Sequence, residues 1–206
     1  MGGTCEIKKK GGAVKPAVFV DRDGTINEQM GYVNHISRFV LLPGASEAIK
    51  LLNDNGYLVI VVTNQSGVAR GYFPIELVYD IHRHMGNLLK KNGARVDGIF
   101  FCPHYPSGKV KEYSKICNCR KPNTGLIEMA RDRFSIDMKN SWMVGDTISD
   151  IEMGKRAELK SILVETGYGM GEIEYVLPSS RVKPEHICDN LYEAVRFILS
   201  QRGNGS

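Results

Sequence analysis

No apolar run in this chain is long enough to cross a bilayer. The longest, Leu58 to Val62 and Ile99 to Cys102, fall far short of the ~20 residues that a spanning helix needs. No secretory apolar segment follows Met1-Gly2-Gly3-Thr4-Cys5-Glu6. Glu6 also stands where a myristoylation signal at Gly2 requires Ser or Thr. The expectation is a cytoplasmic protein with no membrane partner. A strong charge excess is missing as well: 27 Lys+Arg against 23 Asp+Glu leave +4. Part of that sits in Lys8-Lys9-Lys10 and Lys15, within a Gly-rich head, so no nucleic-acid partner is expected. With no secretion signal, the five cysteines read as thiols in a reducing compartment, not as a disulfide framework. Internal repeats and low-complexity blocks are absent. No exposed apolar stripe is evident, so a monomer is expected.

What is present is the pattern of one ordinary globular domain: 206 residues, 42% hydrophobic and 24% charged. Residues 1–15 read as a disordered tail, 16–202 as a single domain and 203–206 as a polar tail. Strand-like runs fall at Ala17–Val20, Leu58–Thr63, Gly98–Cys102, Ser141–Val144 and Ser161–Glu165. Helical periods separate them, from Ala45 to a stop at Gly56, Ile75 to Leu89, Leu126 to Phe134, Ile148 to Ala157 and Leu191 to Leu199. This alternation predicts an α/β fold, a Rossmann-like parallel sheet with helices on both faces. Two stretches break the rhythm, the loop Gln29–Phe39 and the long connection Pro103–Pro122.

Four chemistry-bearing features fall at or near strand ends. Asp21 and Asp23 follow Ala17-Val18-Phe19-Val20, and Gly24 turns the chain behind them. Thr63 ends the second run, Lys121 precedes the third helix, and Gly145-Asp146 with Asp150 follows the fourth run. In a parallel sheet these ends share one side, where ligands bind. Three acids, a hydroxyl and a cation together suit phosphoryl transfer. Hard carboxylate oxygens suit Mg²⁺, a carboxylate can act as nucleophile, and a second acid can carry the proton.

Asp21-Arg22-Asp23-Gly24-Thr25, Thr63, Lys121 and Gly145-Asp146…Asp150 resemble, in order, the four motifs of the haloacid dehalogenase (HAD) superfamily. The resemblance implies an HAD-like phosphatase with Asp21 as nucleophile and Asp23 as general acid/base. Thr63 and Lys121 would steady the phosphoryl group. Mg²⁺ would be held by Asp21, the Asp23 carbonyl and Asp146, with Asp150 supporting the site from behind. The stretch between Asp21 and Thr63 holds only a loop and a helix, so no cap domain fits there.

Cys102-x-His104 and Cys117-x-Cys119 bracket the long connection. Three thiols and an imidazole suit a tetrahedral structural Zn²⁺, which would clip this loop and set Arg120-Lys121 beside the acids. Free thiols with a chance histidine are the alternative. Gly31-Tyr32-Val33, Thr63-Asn64-Gln65-Ser66-Gly67-Val68-Ala69-Arg70-Gly71 and Cys117-x-Cys119-Arg120-Lys121-Pro122 resemble the heptose-bisphosphate phosphatase branch. Histidinol-phosphate phosphatases share the zinc ligands and acids, but differ after Thr-Asn-Gln. The resemblance implies a sugar bisphosphate substrate touching Gln29, Met30, Gly31, Tyr32, Thr63, Asn64, Gln65, Ser66, Arg120 and Lys121. Arg70 reads equally as a substrate contact or a surface arginine. A second reading, from another class, is a zinc-containing nucleic-acid module on an inactive phosphatase fold. Lys109, Lys111, Tyr113 and Lys115 between the ligand pairs are its basis.

Overall fold

The computed structural model describes residues 13–204. Residues 1–12 and 205–206, with Cys5, Lys8, Lys9 and Lys10 among them, lie outside the described residues. The elements in order are β1 (Ala17–Val20), α1 (Ala45–Asp54), β2 (Leu58–Asn64), α2 (Gly67–Arg70), α3 (Ile75–Lys91), β3 (Gly98–Cys102), α4 (Gly125–Arg133), β4 (Trp142–Gly145), α5 (Ile148–Arg156), β5 (Lys160–Val164), α6 (Gly169–Gly171), β6 (His186–Cys188) and α7 (Leu191–Ser200). Every strand pairing is parallel, and the sheet order is β3-β2-β1-β4-β5-β6.

Each residue of β1 is buried, because side chains alternate between two covered faces. Val18 and Val20 pack with Ala48, Ile49 and Leu52 of α1, Met85 and Leu89 of α3, and Val195 and Ile198 of α7. Ala17 and Phe19 face the other layer, with Leu126, Ile127 and Ala130 of α4 and Met153 of α5. The inward apolar residues of α1 recur at 45, 48, 49 and 52, the helical period read from sequence. Gly56, at φ 76°, turns the chain back toward β2.

Between β1 and β2 the chain holds one short 3-10 turn, Ile36–Arg38, and α1, so no cap is inserted there. The order of the sheet reverses at β1: β2 lies to one side and β4 to the other. The crevice between the carboxyl ends of β1 and β4 is where this kind of sheet binds ligands.

The sequence reading differs from the structure in a few places. The edge strand β6 has no buried residue among His-Ile-Cys, and so it left no apolar signature. The α2 turn is too short to show a period. Lys15, assigned to the tail, bridges Ile136. Its N–H donates to the Ser135 carbonyl at 3.1 Å and its carbonyl accepts from Asp137 at 2.8 Å. The ordered fold therefore reaches at least one residue earlier. At the other end, Gln201–Asn204 continues α7 as a 3-10 turn, so residues 203 and 204 extend the helix backbone.

Leu52 is completely buried between α1 and the sheet, whereas Met129 is 48% exposed on α4. Leu52→Ala should cost about 2–5 kcal/mol, and Met129→Ala within about 0.5 kcal/mol. Urea unfolding midpoints measure both. Equal shifts would contradict the layer assignment.

Candidate active site

The strand ends form a cleft of about 320 Å³ lined by Asp21, Asp23, Thr63, Lys121 and Asp146, with Gln29, Gly31, Tyr32, Asn64, Gln65, Ser66 and Arg120 around them. Asp21 leaves β1 and Asp146 follows β4, so the two acids flank the point where strand order reverses. Thr63 comes from β2.

Lys121 holds the floor together. Its Nζ lies 2.7 Å from Asp21 Oδ1 and 2.6 Å from Asp150 Oδ1, and donates to the Val62 carbonyl at 3.2 Å. Burial alone would strip its proton, but the charges of Asp150 and Asp21 outweigh burial and hold its pKa above the ordinary lysine range. Asp21 Oδ1 also accepts from the Arg22 N–H at 2.7 Å, which fixes the rotation of that carboxylate. Asp150 has two tasks. Its Oδ2 accepts from the Thr147 N–H and hydroxyl at 3.2 and 2.7 Å, closing a capping box at the start of α5, while Oδ1 faces Lys121.

Asp146 sits in a glycine cradle. A Cβ on Gly24 would lie 2.1 Å from its Oδ2, and one on Gly167 2.2 Å from the same atom. Both glycines have positive φ, 89° and 62°. The Tyr168 N–H donates to Oδ2 at 2.8 Å, while the buried Oδ1 has no hydrogen-bond partner. The carboxylates of Asp21, Asp146 and Asp150 offer oxygens within 4.8 Å of one another, against one buried lysine. Burial, outweighing Lys121, and then the Asp150 and Asp23 charges push Asp21 up to about 6. Burial, then Asp21 and Asp150, push Asp146 up to about 8. A divalent cation fits this donor set: hard oxygens, one of them buried and unpartnered, with negative charge left uncompensated.

Asp23 stands apart. Arg22, wholly buried, forks onto it with Nη2 at 2.8 and 2.6 Å from Oδ1 and Oδ2. Asn27 Nδ2 donates to Oδ1 at 3.0 Å and Gln65 Nε2 to Oδ2 at 2.8 Å. Burial would raise this carboxyl, but the Arg22 charge and these hydrogen bonds pull it below the ordinary range. Gln65 Nε2 also lies 2.9 Å from Thr63 Oγ1, tying β2 to the Asp23 loop. The Asp23 carbonyl accepts from Gln29 Nε2 at 3.4 Å.

Most of the expected substrate-contact residues meet in this cleft. Met30 does not line it; its side chain packs on the core, and its sulfur accepts from Arg38 Nη2 at 3.6 Å. Asn64 lines the wall, but its amide braces the Lys121 backbone in both directions, at 3.1 and 3.4 Å. Arg70 lies off the cleft, with its guanidinium 3.7 Å from the Tyr105 ring centre. The sequence reading missed Asn27, Gly167 and Tyr168. A glycine two residues after the strand-like run Ser161–Glu165 was the available signal for Gly167.

Cys102, His104, Cys117 and Cys119 also converge. Four of the six Sγ/Nδ1 pairs lie 3.3–3.7 Å apart, close to the edge, roughly 3.5–3.8 Å, of a tetrahedron with metal–sulfur bonds of about 2.3 Å, and all the ligand atoms lie within 4.8 Å of one another. The four side chains fit one tetrahedral metal ion. Cys188 is remote from them; its thiol donates to the Asn190 carbonyl at 3.6 Å.

Strand ends converging on an acid-lined, cap-free cleft make this chain an HAD-like hydrolase, and a family model described as HAD-hydrolase-like matches residues 118–194. The chain is 42% identical over 180 residues to D-glycero-beta-D-manno-heptose-1,7-bisphosphate 7-phosphatase of Pasteurella multocida, covering 84% of this chain and 97% of that one. It is 45% identical to the D-glycero-alpha-D-manno-heptose-1,7-bisphosphate 7-phosphatase of Photorhabdus laumondii, over 75% of this chain and 85% of the other. A solved structure of D,D-heptose 1,7-bisphosphate phosphatase from B. bronchiseptica, complexed with magnesium and phosphate, matches with a TM-score of 0.78 at 31% identity. That match covers 90% of this chain and 99% of that one. The chain belongs to the D-glycero-D-manno-heptose-1,7-bisphosphate 7-phosphatase family.

Two outcomes follow from this geometry. In the metal-free protein, the raised carboxyls of Asp21 and Asp146 keep protons that the unfolded chain has released. Their contribution to stability therefore falls as pH rises from about 3.8 through about 6 and about 8. A divalent cation such as Mg²⁺ needs both ionised, so it should raise the melting temperature more at about pH 8 than at about pH 5.5. Thermal melts with chelator and with Mg²⁺ test this; a larger gain at the lower pH would contradict it. Cys117→Ser should lose bound metal by elemental analysis, along with more than about 4 kcal/mol of stability. An unchanged melting temperature with no metal in the parent protein would remove the metal-clip assignment.

Proposed function

We propose that this chain removes the 7-phosphate of D-glycero-D-manno-heptose 1,7-bisphosphate through an aspartyl-phosphate on Asp21. The observation that carries the reading is the Asp21–Lys121–Asp150 cluster at the β1/β4 crevice, with Asp23 held separately beside it. Substrate identity rests on the family relatives, which divide between the two anomers.

Asp21 attacks phosphorus in line with the sugar oxygen. Asp23, ionised in the resting site, first takes up a proton from solvent, and the P–O bond then breaks as that proton passes to the departing oxygen. Asp23 then takes a proton from water, and the resulting hydroxide attacks phosphorus, releasing phosphate and restoring Asp21. Lys121, fixed at 2.7 Å from Asp21 Oδ1, and the Thr63 hydroxyl stabilise charge on the phosphoryl oxygens. Mg²⁺, held by Asp21, the Asp23 carbonyl and Asp146, would supply the charge neutralisation that lets an anionic nucleophile approach a dianionic phosphate. Arg120 lies on the same wall, its Nη1 3.4 Å from the His104 carbonyl. Its planar fork suits the second phosphate or neighbouring hydroxyls. Zn²⁺ is the proposed occupant of the Cys/His cluster, with a closed structural role. On this proposal the enzyme works in the cytoplasm as a monomer.

Initial rates with both anomers of the heptose bisphosphate and with histidinol phosphate test the reading. The heptose esters should be preferred. Asp21→Asn should lose turnover by at least about 10³-fold with its circular dichroism unchanged. Faster hydrolysis of histidinol phosphate would move the assignment to that substrate, and an active Asp21→Asn would remove the covalent route.

A further inference from the structure

Among the described residues, Arg22 is the largest side chain that is fully buried. A guanidinium keeps its charge wherever it is placed, so burying one requires partners for its N–H groups. Three of its contacts go to Asp23: Nε to Oδ1 at 3.2 Å, and Nη2 to Oδ1 and Oδ2 at 2.8 and 2.6 Å. The remaining arm, Nη1, lies 3.1 Å from Nε2 of His82.

His82 comes from α3, sixty positions along the chain, and faces the interior with Ile81 and Met85. Its ring packs edge-on to Phe101, with centroids 5.4 Å apart. Arginine can only donate, so Nε2 must accept and the ring proton must sit on Nδ1. Burial, then the Arg22 charge, hold His82 far below the ordinary imidazole range, at about 3, so it is a neutral acceptor at working pH. Helix α3 thus supplies the fixed point, Arg22 the strut and Asp23 the supported group.

We propose that Arg22 and His82 are positioning residues for proton transfer by Asp23, holding its carboxylate where the leaving oxygen departs. This rests on the reading of Asp23 as the proton carrier. Neither residue lines the cleft, so both act through Asp23. A sugar alkoxide leaves poorly without a proton, whereas p-nitrophenolate leaves without one. A displaced Asp23 therefore penalises the sugar ester selectively. The comparison belongs in kcat/KM, which reports steps up to the first irreversible one, loss of the leaving group, and excludes later water attack.

The test measures kcat/KM for the heptose bisphosphate and for p-nitrophenyl phosphate in wild type, His82→Leu, His82→Gln and Arg22→Lys. In His82→Leu, which removes the acceptor, the sugar-to-nitrophenyl ratio should fall about ten-fold or more. His82→Gln, which offers a carbonyl oxygen in its place, should restore most of it. Arg22→Lys keeps the charge and loses the fork, so it should lower the ratio too. It carries the same test if His82→Leu does not fold by circular dichroism. A general loosening of the fold would depress both esters together. An unchanged ratio in folded variants, with the wild type active, overturns this proposal alone. A wild type that hydrolyses neither ester overturns both it and the phosphatase reading.

Discussion

One buried ammonium organises this molecule. Lys121 Nζ sits between Asp21 and Asp150, with a third acid, Asp146, in reach of both carboxylates. Like charges at this spacing repel strongly where water is scarce, and a single lysine leaves the cluster negative. The site is therefore balanced for the arrival of more positive charge. The surrounding structure prevents the acids from relieving their repulsion by moving apart. Asp21 is pinned by the Arg22 N–H, Asp150 by its capping box, and Asp146 by two glycines and the Tyr168 N–H.

The sheet explains why these groups converge. Asp21 and Asp146 follow adjacent parallel strands, in register at Val20 and Val144, so their placement follows from pairing alone. Lys121 belongs to no strand. It reaches the centre because Asn64 holds its backbone and because Cys119 lies two residues before it. The tip of β2 thus positions both the Thr63 hydroxyl and, through Asn64, the ammonium.

Much of this was legible in the sequence, for a physical reason. Strands buried on both faces are continuous apolar runs, and Val18-Phe19-Val20 and Leu58 to Val62 stand out in any reading. The acids of the cleft were legible because carboxylates at the ends of such runs are unusual. The illegible features depend on contacts between distant segments. His82 lies among the inward residues of an amphipathic helix, and nothing local marks it as the acceptor for Arg22. Gln65 reads as a substrate contact, while its amide also links Thr63 to Asp23. Met30 sits among contact-like neighbours, and only the folded chain shows that it leans on the core while its sulfur meets Arg38. The edge strand β6 escaped because its three residues, His-Ile-Cys, are too few to show an alternation.

The Cys/His cluster and the acid cluster are best understood as one mechanical unit. Cys102 ends β3, so one corner of the cluster is anchored in the sheet. Cys119, Arg120 and Lys121 are consecutive: a sulfur corner, a cleft guanidinium and the buried ammonium. The knuckle between the sulfurs closes tightly on α4, since a Cβ on Gly125 would lie 2.6 Å from the Asn118 carbonyl oxygen. Asn123 adds a second tie, its amide donating to the Cys117 carbonyl at 3.1 Å. A long connection without regular structure would ordinarily move too freely to hold a charge within a few tenths of an ångström. A metal tying it at four points would make it behave like a secondary-structure element. In a fold without a cap, this loop is what delivers the cation to the carboxylates.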